Sequence, residues 1–203
     1  MKKIIYKIYN LLNKNIIYGS GNTVDISSKR KRFKIYISGN NNKIIIAKKC
    51  LLGYTDIHIN GDNNTLIVDE KARFIGPCKI KMSNGAQLHI GENAGIRGVS
   101  FILDKANVTV GKLCMFSYNI TIRNTDSHKV LNLTTNEIVN QPKDITIGNH
   151  VWIGQNATIL KGVSIGDNSI VAMGAVITKD CPANSIIAGN PAKIVKTGIT
   201  WDY

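Results

Sequence analysis

From Ile147 to Cys181 the chain repeats itself every six residues, and few folds accommodate such a period. First positions are Ile147, Ile153, Ile159, Ile165, Val171 and Ile177, all large aliphatics. Fourth positions are His150, Asn156, Gly162, Asn168, Gly174 and Asp180, residue types that tolerate a positive φ. Fifth positions are Val151, Ala157, Val163, Ser169, Ala175 and Cys181, mostly small. A chain that turns at such a site every six residues closes a triangle after three turns. Ile147 then stacks on Ile165, Ile153 on Val171 and Ile159 on Ile177, each coil adding one strand spacing of about 4.8 Å. The period predicts a parallel β-helix, an all-β solenoid.

Upstream the register continues with looser spacing. Ile46, Val68, Ile90 and Val110 begin similar blocks, 22, 22 and 20 residues apart. The six-residue step recurs at Val68/Phe74/Ile80 and at Val110/Phe116/Ile122. Extra residues gather at the turn signals Gly39-Asn40-Asn41-Asn42, Gly61-Asp62-Asn63-Asn64 and Ser83-Asn84-Gly85, which predicts wider coils with one longer side. No Pro/Gly/Ser-rich linker interrupts residues 19–188, expected to be one domain, with 189–203 as a C-terminal tail. Cys50, Cys78, Cys114 and Cys181 each follow a block-starting residue by four, in the small inward slot of Ala157 and Ala175. They read as buried core thiols, with no CxxC pair to suggest zinc or redox chemistry. Free core thiols favour a reducing compartment.

Residues 1–18 are basic and apolar, but Lys7, Asn10, Asn13 and Lys14 interrupt any export-signal core. The spacing of Ile4, Ile5, Ile8, Leu11 and Leu12 suits a short helical cap over the open end of the solenoid; a membrane-surface anchor is the alternative. No apolar run approaches the roughly 18 residues of a membrane span, so a cytoplasmic protein is expected, with peripheral contact to the inner membrane face as the variant reading. A net charge of +13 points to anionic ligands. Nucleic acid is disfavoured as a partner. The run Lys29-Arg30-Lys31-Arg32 has no interleaved aromatics, and no DNA- or RNA-binding module accompanies it.

The repeat breaks once. After Ile120 and Ile122 the register stops, and it resumes at Ile145 and Ile147. A solenoid tolerates an insertion only by extruding it, so residues 123–145 are expected to form one long loop on a rigid scaffold, a common site for chemistry. The loop opens with Arg123-Asn124-Thr125-Asp126-Ser127-His128, and His128 is its sole histidine. His150 occupies a turn slot, and His58 and His89 sit in strand-like runs where a solvent-facing histidine needs no special account. An imidazole can accept a proton near neutral pH, which suits a lone loop histidine to general-base chemistry. Asp126 is a nearby carboxylate that could orient it.

Gly148-Asn149-His150-Val151-Trp152-Ile153-Gly154, Ile165-Gly166-Asp167-Asn168, Ile177-Thr178-Lys179-Asp180 and Ala188-Gly189-Asn190-Pro191-Ala192-Lys193 resemble the hexapeptide-repeat acetyltransferases over residues 110–196. The Ile-Arg-Asn-Thr-Asp-x-His run and the His-Val-Trp segment further resemble the bacterial polysialic acid and surface-glycan O-acetyltransferases of that group. The resemblance implies a left-handed β-helix, against the usual right-handed crossover. It also implies a homotrimer with acetyl-CoA lying between subunits. By the same likeness His128 matches the catalytic histidine and Trp152 a tryptophan that matters for acetyl transfer, by its indole or its backbone N–H. Gly174, Thr178, Lys179, Lys193 and Lys196 are the further candidates for holding the cofactor, the lysines matching its phosphates in charge. Where related enzymes often have arginine, Lys193 and Lys196 keep the charge without the bidentate fork.

The reading is an acetyl-CoA-dependent O-acetyltransferase acting on an anionic bacterial surface glycan, such as one containing sialic acid, with no metal. Alternatives are an N-acetyltransferase for an amino-sugar nucleotide and a non-catalytic structural solenoid. A γ-type carbonic anhydrase would need three zinc-binding histidines including an HxxxxH pair, which His58, His89, His128 and His150 do not supply.

Overall fold

The computed structural model describes residues 13–202. Within them every regular element is a β-strand, and each coil of the chain hydrogen-bonds to the coils above and below it. The expected helical cap lies outside the described residues, except that Asn15–Tyr18, assigned to it, is a strand. Its residues pair in parallel with Ile35–Ser38, so the solenoid begins before Gly19. Four residues are too few to show a period in the sequence.

Three faces make the triangle. The first carries short strands such as Arg73–Phe74, Gly95–Ile96, Met115–Phe116, Trp152–Ile153 and Ile170–Val171. The second, here the wide face, carries Cys78–Ser83, Val99–Asp104, Ile120–Arg123, Thr158–Ile159 and Val176–Ile177. The third is a seven-stranded sheet from Thr23–Ile26 to Ser164–Ile165. The first and wide faces form one 15-stranded sheet because Leu51–Asn60 turns the corner between them. Leu51 and Leu52 pair with Arg73 and Phe74, whereas Thr55–Asn60 pair with Cys78–Ser83, and Tyr54 takes a φ of 48° at the bend.

The columns expected from the repeat are present. Ile46, Val68, Ile90, Val110, Ile147 and Ile165 lie one above another, as do Ile153 on Val171 and Ile159 on Ile177. All are buried, each contributing on the order of 2 kcal/mol of apolar burial. His150, Asn156, Gly162, Asn168 and Gly174 have positive φ between 53° and 74°. Asp180 does not. Its carboxylate instead accepts the Ser164 N–H at 2.7 Å, where the last coil gives way to a hairpin. The four cysteines are buried, and burial raises their thiol pKa values, to about 11 for Cys78 and Cys181 and about 12 for Cys114.

The wider coils carry polar groups inside. The Asn42 and Asn64 side chains are fully buried and form a ladder along the solenoid axis. Asn42 Nδ2 donates to Asn22 Oδ1 at 3.0 Å, Asn64 Nδ2 to Asn42 Oδ1 at 2.9 Å, and the Ala86 N–H to Asn64 Oδ1 at 3.0 Å. Each amide satisfies its neighbours, so the ladder leaves little desolvation cost unmet.

The tail is structured. Ala192–Thr197 folds back antiparallel on Ser185–Gly189 and ends the sheet, and Trp201 is buried beyond it.

Candidate active site

The insertion leaves the corner between the wide and third faces. Asn124, fully buried, fixes its root: Oδ1 accepts the Asp104 N–H at 2.8 Å and Nδ2 donates to the Ala106 carbonyl at 2.7 Å. The Lys143 N–H donates to the Asn124 carbonyl at 3.1 Å, so the two ends of the excursion meet. Arg123 Nε donates to the Thr125 carbonyl at 2.9 Å and its Nη2 to Ser127 Oγ at 3.2 Å, and Ser127 turns the chain with a φ of 66°.

His128 follows that turn. Asn140, on the returning limb, donates from Nδ2 to the His128 carbonyl at 2.7 Å and to Asp126 Oδ2 at 2.9 Å. Asn140 Oδ1 accepts the Val130 N–H at 2.8 Å. Lys161, one coil further on, donates to the Asn140 carbonyl at 3.0 Å and to the Asp126 carboxylate. These bonds hold the backbone of His128 while its side chain stays exposed, lining a cleft of about 130 Å³ with Ser127, Lys129, Ile138 and Pro142. Lys161 and then Asn140 hold the Asp126 carboxyl below the usual carboxylate range. Asp126 thus anchors the loop, and no hydrogen bond joins it to the imidazole.

Trp152 projects outward from the first face, 40% exposed, between Met115 and Ile170 in its column. Its backbone N–H donates to the Ser169 carbonyl at 2.9 Å and belongs to the coil-to-coil ladder. The indole is therefore the group left to act on a ligand. Trp201 flanks it with ring centroids 6.0 Å apart. Trp201 also stacks on His150 at 4.1 Å and donates from Nε1 to the His150 carbonyl at 2.8 Å.

The candidate residues divide between two sides of the triangle. Thr178 and Lys179 directly follow the wide-face strand Val176–Ile177, at the same corner as the His128 loop. Trp152 and Lys196 belong to the first face, where the column runs Trp152, Ile170, Ile186, Lys196, with Lys193 in the same outer strand. That face lies opposite the corner of His128. Gly174 sits at the corner between the first and wide faces with a φ of 71° and open space where a Cβ would be. One chain does not bring His128 and Trp152 together. No period or motif singles out Asn140, Lys161 or Trp201. Lys161 could have been found by aligning the coils, since Thr121 pairs with Thr158 and the loop root therefore overlies Lys161.

Residues 144–179 match the family described as hexapeptide repeat of succinyl-transferase. The polysialic acid O-acetyltransferase of Neisseria meningitidis is 37% identical over 187 residues, covering 90% of this chain and 86% of that enzyme. The chain belongs to the hexapeptide-repeat acetyltransferases. The polysialic acid O-acetyltransferase of Escherichia coli O1:K1 is 35% identical over 123 residues, 60% of this acetyltransferase but 40% of that one. The crystal structure of the polySia-specific acetyltransferase NeuO superposes with a TM-score of 0.89 at 33% identity, over 96% of this chain and 90% of that one. The acetyltransferase shares its left-handed winding. A galactoside acetyltransferase solved in complex with coenzyme A matches with a TM-score of 0.53 at 32% identity, over 64% of each chain. Among the described residues no group of His, Cys, Asp or Glu is placed to hold a metal ion, and no helix is long and apolar enough to cross a membrane.

Proposed function

We propose that this acetyltransferase moves the acetyl group of acetyl-CoA to a hydroxyl of an acidic bacterial surface glycan, at sites shared between neighbouring subunits of a homotrimer. The observation that carries the reading is the division of the candidate residues between two sides of the coil. A corner bearing His128, Thr178 and Lys179 would face a neighbour's surface bearing Trp152, Lys193 and Lys196. The acetyl donor would lie in the seam, its phosphates against the lysines.

In that seam the His128 imidazole takes the hydroxyl proton as the sugar oxygen attacks the thioester carbonyl. The proton then passes to the departing thiolate of coenzyme A. The Trp152 indole N–H is the donor available for the carbonyl oxygen as it gains charge. Transfer is direct, with no cysteine placed to form a covalent acyl-enzyme, since all four are buried with raised pKa values. The relatives that act on polysialic acid and the net charge of +13 both favour an acidic acceptor. Acetyl-CoA is a cytoplasmic metabolite, which places the reaction in the cytoplasm, with the basic surface suited to the anionic inner face of the membrane.

The test is complementation. Light scattering should report a trimer, and His128→Ala mixed with Trp152→Ala subunits should recover activity that neither variant has alone. A fully active monomer, or mixed trimers as inactive as their parents, would overturn the shared site.

A further inference from the structure

The turn slot of the six-residue repeat holds Asn, Gly or Asp at every step but one, and the exception is His150. Its φ of 53° is one that asparagine or glycine takes as readily, so the turn itself does not call for an imidazole. The ring serves as a seat. Trp201 lies flat on it, with centroids 4.1 Å apart and planes 10° from parallel, and donates from Nε1 to the His150 carbonyl at 2.8 Å. His150 Nδ1 lies 3.1 Å from Asn168 Oδ1, which steadies the imidazole from the next coil. Trp201 is only 9% exposed, yet it stands outside the core that fills the solenoid.

A short strap brings Trp201 there. The outer strand Ala192–Thr197 is followed by Gly198, which takes a φ of 72°. Ile199 is then fastened to the turn at Asn184: its N–H donates to the Asn184 carbonyl at 3.0 Å, and Asn184 Nδ2 donates to the Ile199 carbonyl at 3.0 Å. Asn184, Asn168 and His150 occupy one corner in successive coils, since the Asn184 N–H bonds the Asp167 carbonyl and the Asn168 N–H the Asn149 carbonyl. The strap therefore runs back along that corner and sets Trp201 two coils away, beside the strand Trp152–Ile153. Trp152 is an outward strand residue, a position with two common χ1 wells. Met115 and Ile170 lie before and after it in its column, whereas Trp201 stands at its side, with centroids 6.0 Å apart and planes 50° apart. That separation is the one at which aromatic rings pack, and a fixed ring beside the indole makes its two wells unequal.

We infer that Trp201 is a positioning residue: seated on His150 and held by the strap, it sets the direction of the Trp152 indole. Its Nε1 is committed to the His150 carbonyl, so Trp201 acts through Trp152 and not as a donor to substrate. The histidine in a turn slot is thereby accounted for, as the seat on which Trp201 rests. The inference rests on the reading that the Trp152 indole serves acetyl transfer, and it adds that the last residues of the chain tune that step from outside the coil.

Trp152 and Trp201 are the only tryptophans in the chain, so replacing Trp201 leaves the emission of Trp152 alone. Two variants of the full chain are compared: Trp201→Ala, which removes the ring, and Trp201→Phe, which keeps a ring on His150. Trp201→Ala should lower kcat by about tenfold or more, as misdirection of a reacting group does, with both KM values within about twofold of wild type. Trp201→Phe should bring kcat back to within about threefold of wild type. In a Trp152→Ala background, Trp201→Ala should cost no further activity, because the ring it directs is gone. Time-resolved emission anisotropy should find the Trp152 indole held in Trp201→Phe and rocking on the nanosecond scale in Trp201→Ala. Should Trp201→Ala fail to fold, Trp201→Leu fills the space without a ring and takes its place. Wild-type kcat without the ring, or losses that multiply in the double variant, would sink the inference. So would an indole equally held, or equally mobile, in the two variants. If the wild type transfers acetyl to no acidic glycan, the proposed function fails, and the anisotropy alone decides whether Trp201 directs Trp152.

Discussion

The coils between Ile147 and Cys181 and those between Thr23 and Val110 close the same triangle with different lengths of chain. A coil takes 18 residues in the first region, as from Ile147 to Ile165, and 22 in the second, as from Ile46 to Val68. Much of the extra chain lengthens the wide face. Cys78–Ser83 and Val99–Asp104 have six residues each, where Thr158–Ile159 and Val176–Ile177 have two. The inner contents differ accordingly. The strict coils are filled by Ala157, Val163 and Ala175, while the wide coils need Phe33, Phe101 and the buried Asn42–Asn64 ladder. A solenoid can thus be broadened on one side without losing register, because inward residues pair coil to coil whatever the spacing between them. The strict half keeps compact faces of two-residue strands, and the wide half gains outward surface.

The largest effect should fall at the seam between the halves. His128→Ala should lower turnover by about 10²-fold or more while coenzyme A binding and assembly persist, measured by steady-state rates and calorimetry. Near-normal turnover would move the chemistry away from the insertion.

Next, the thiols compare the stability of the two halves. With pKa values near 11 and 12, at most about one Cys78, Cys181 or Cys114 thiol in a hundred to a thousand is ionised at pH 8–9, and burial shields it further. All four cysteines should resist alkylation in the native protein and react on unfolding, as followed by mass spectrometry. Early labelling of Cys181 alone would show that the strict half opens first.

Removing the ladder should cost more than removing a corner. Asn64→Ala leaves the buried Ala86 N–H with only a longer bond to the Ser83 carbonyl at 3.3 Å and breaks the ladder to Asn42, and should destabilise the protein by about 2 kcal/mol in denaturant titrations. Asn168→Ala loses a contact to His150 Nδ1 and strains a φ of 60°, for about 1 kcal/mol. Equal losses would mean that the ladder adds nothing special to the wide half.

The smallest effect concerns the loop anchor. A carboxylate whose pKa is lowered by folding stabilises the folded state above its unfolded value, about 3.9, and loses that contribution as pH falls through the folded value. The Asp126–Lys161 contact should therefore persist at neutral pH and fail only in acid, loosening the loop by less than about 1 kcal/mol because Asp126 is partly exposed. Proteolysis of residues 126–140 should accelerate below about pH 4 in the wild type and vary less with pH in Asp126→Asn.

The fold could be read from the sequence because the six-residue period names the inward residue at each step, and coil-to-coil pairing turns that list into contacts. The insertion was legible as a break in the same period, which singled out His128. The clamp around it was not. Asn140 reaches His128 across the loop, through a closure no period encodes. Asp126 stood near enough in sequence to be offered as a partner for the imidazole, but Lys161 claims it from the next coil. Residues 189–203 gave no period and read as a tail, yet Ala192–Thr197 closes the sheet and Trp201 packs beside Trp152.

The hydrogen bond between Lys143 and Asn124 brings the ends of the insertion within 3.1 Å, and Val110 pairs with Ile147 as though nothing lay between them. The insertion is therefore a cassette. Doubling its length would add only about 0.6 kcal/mol of closure entropy, and the coils on either side would not register the change. Residues 131–139 can then be exchanged while His128, its Asn140 clamp and the coils on either side stay as they are. In evolution, such a scaffold lets a loop vary while the coils that carry it stay unchanged.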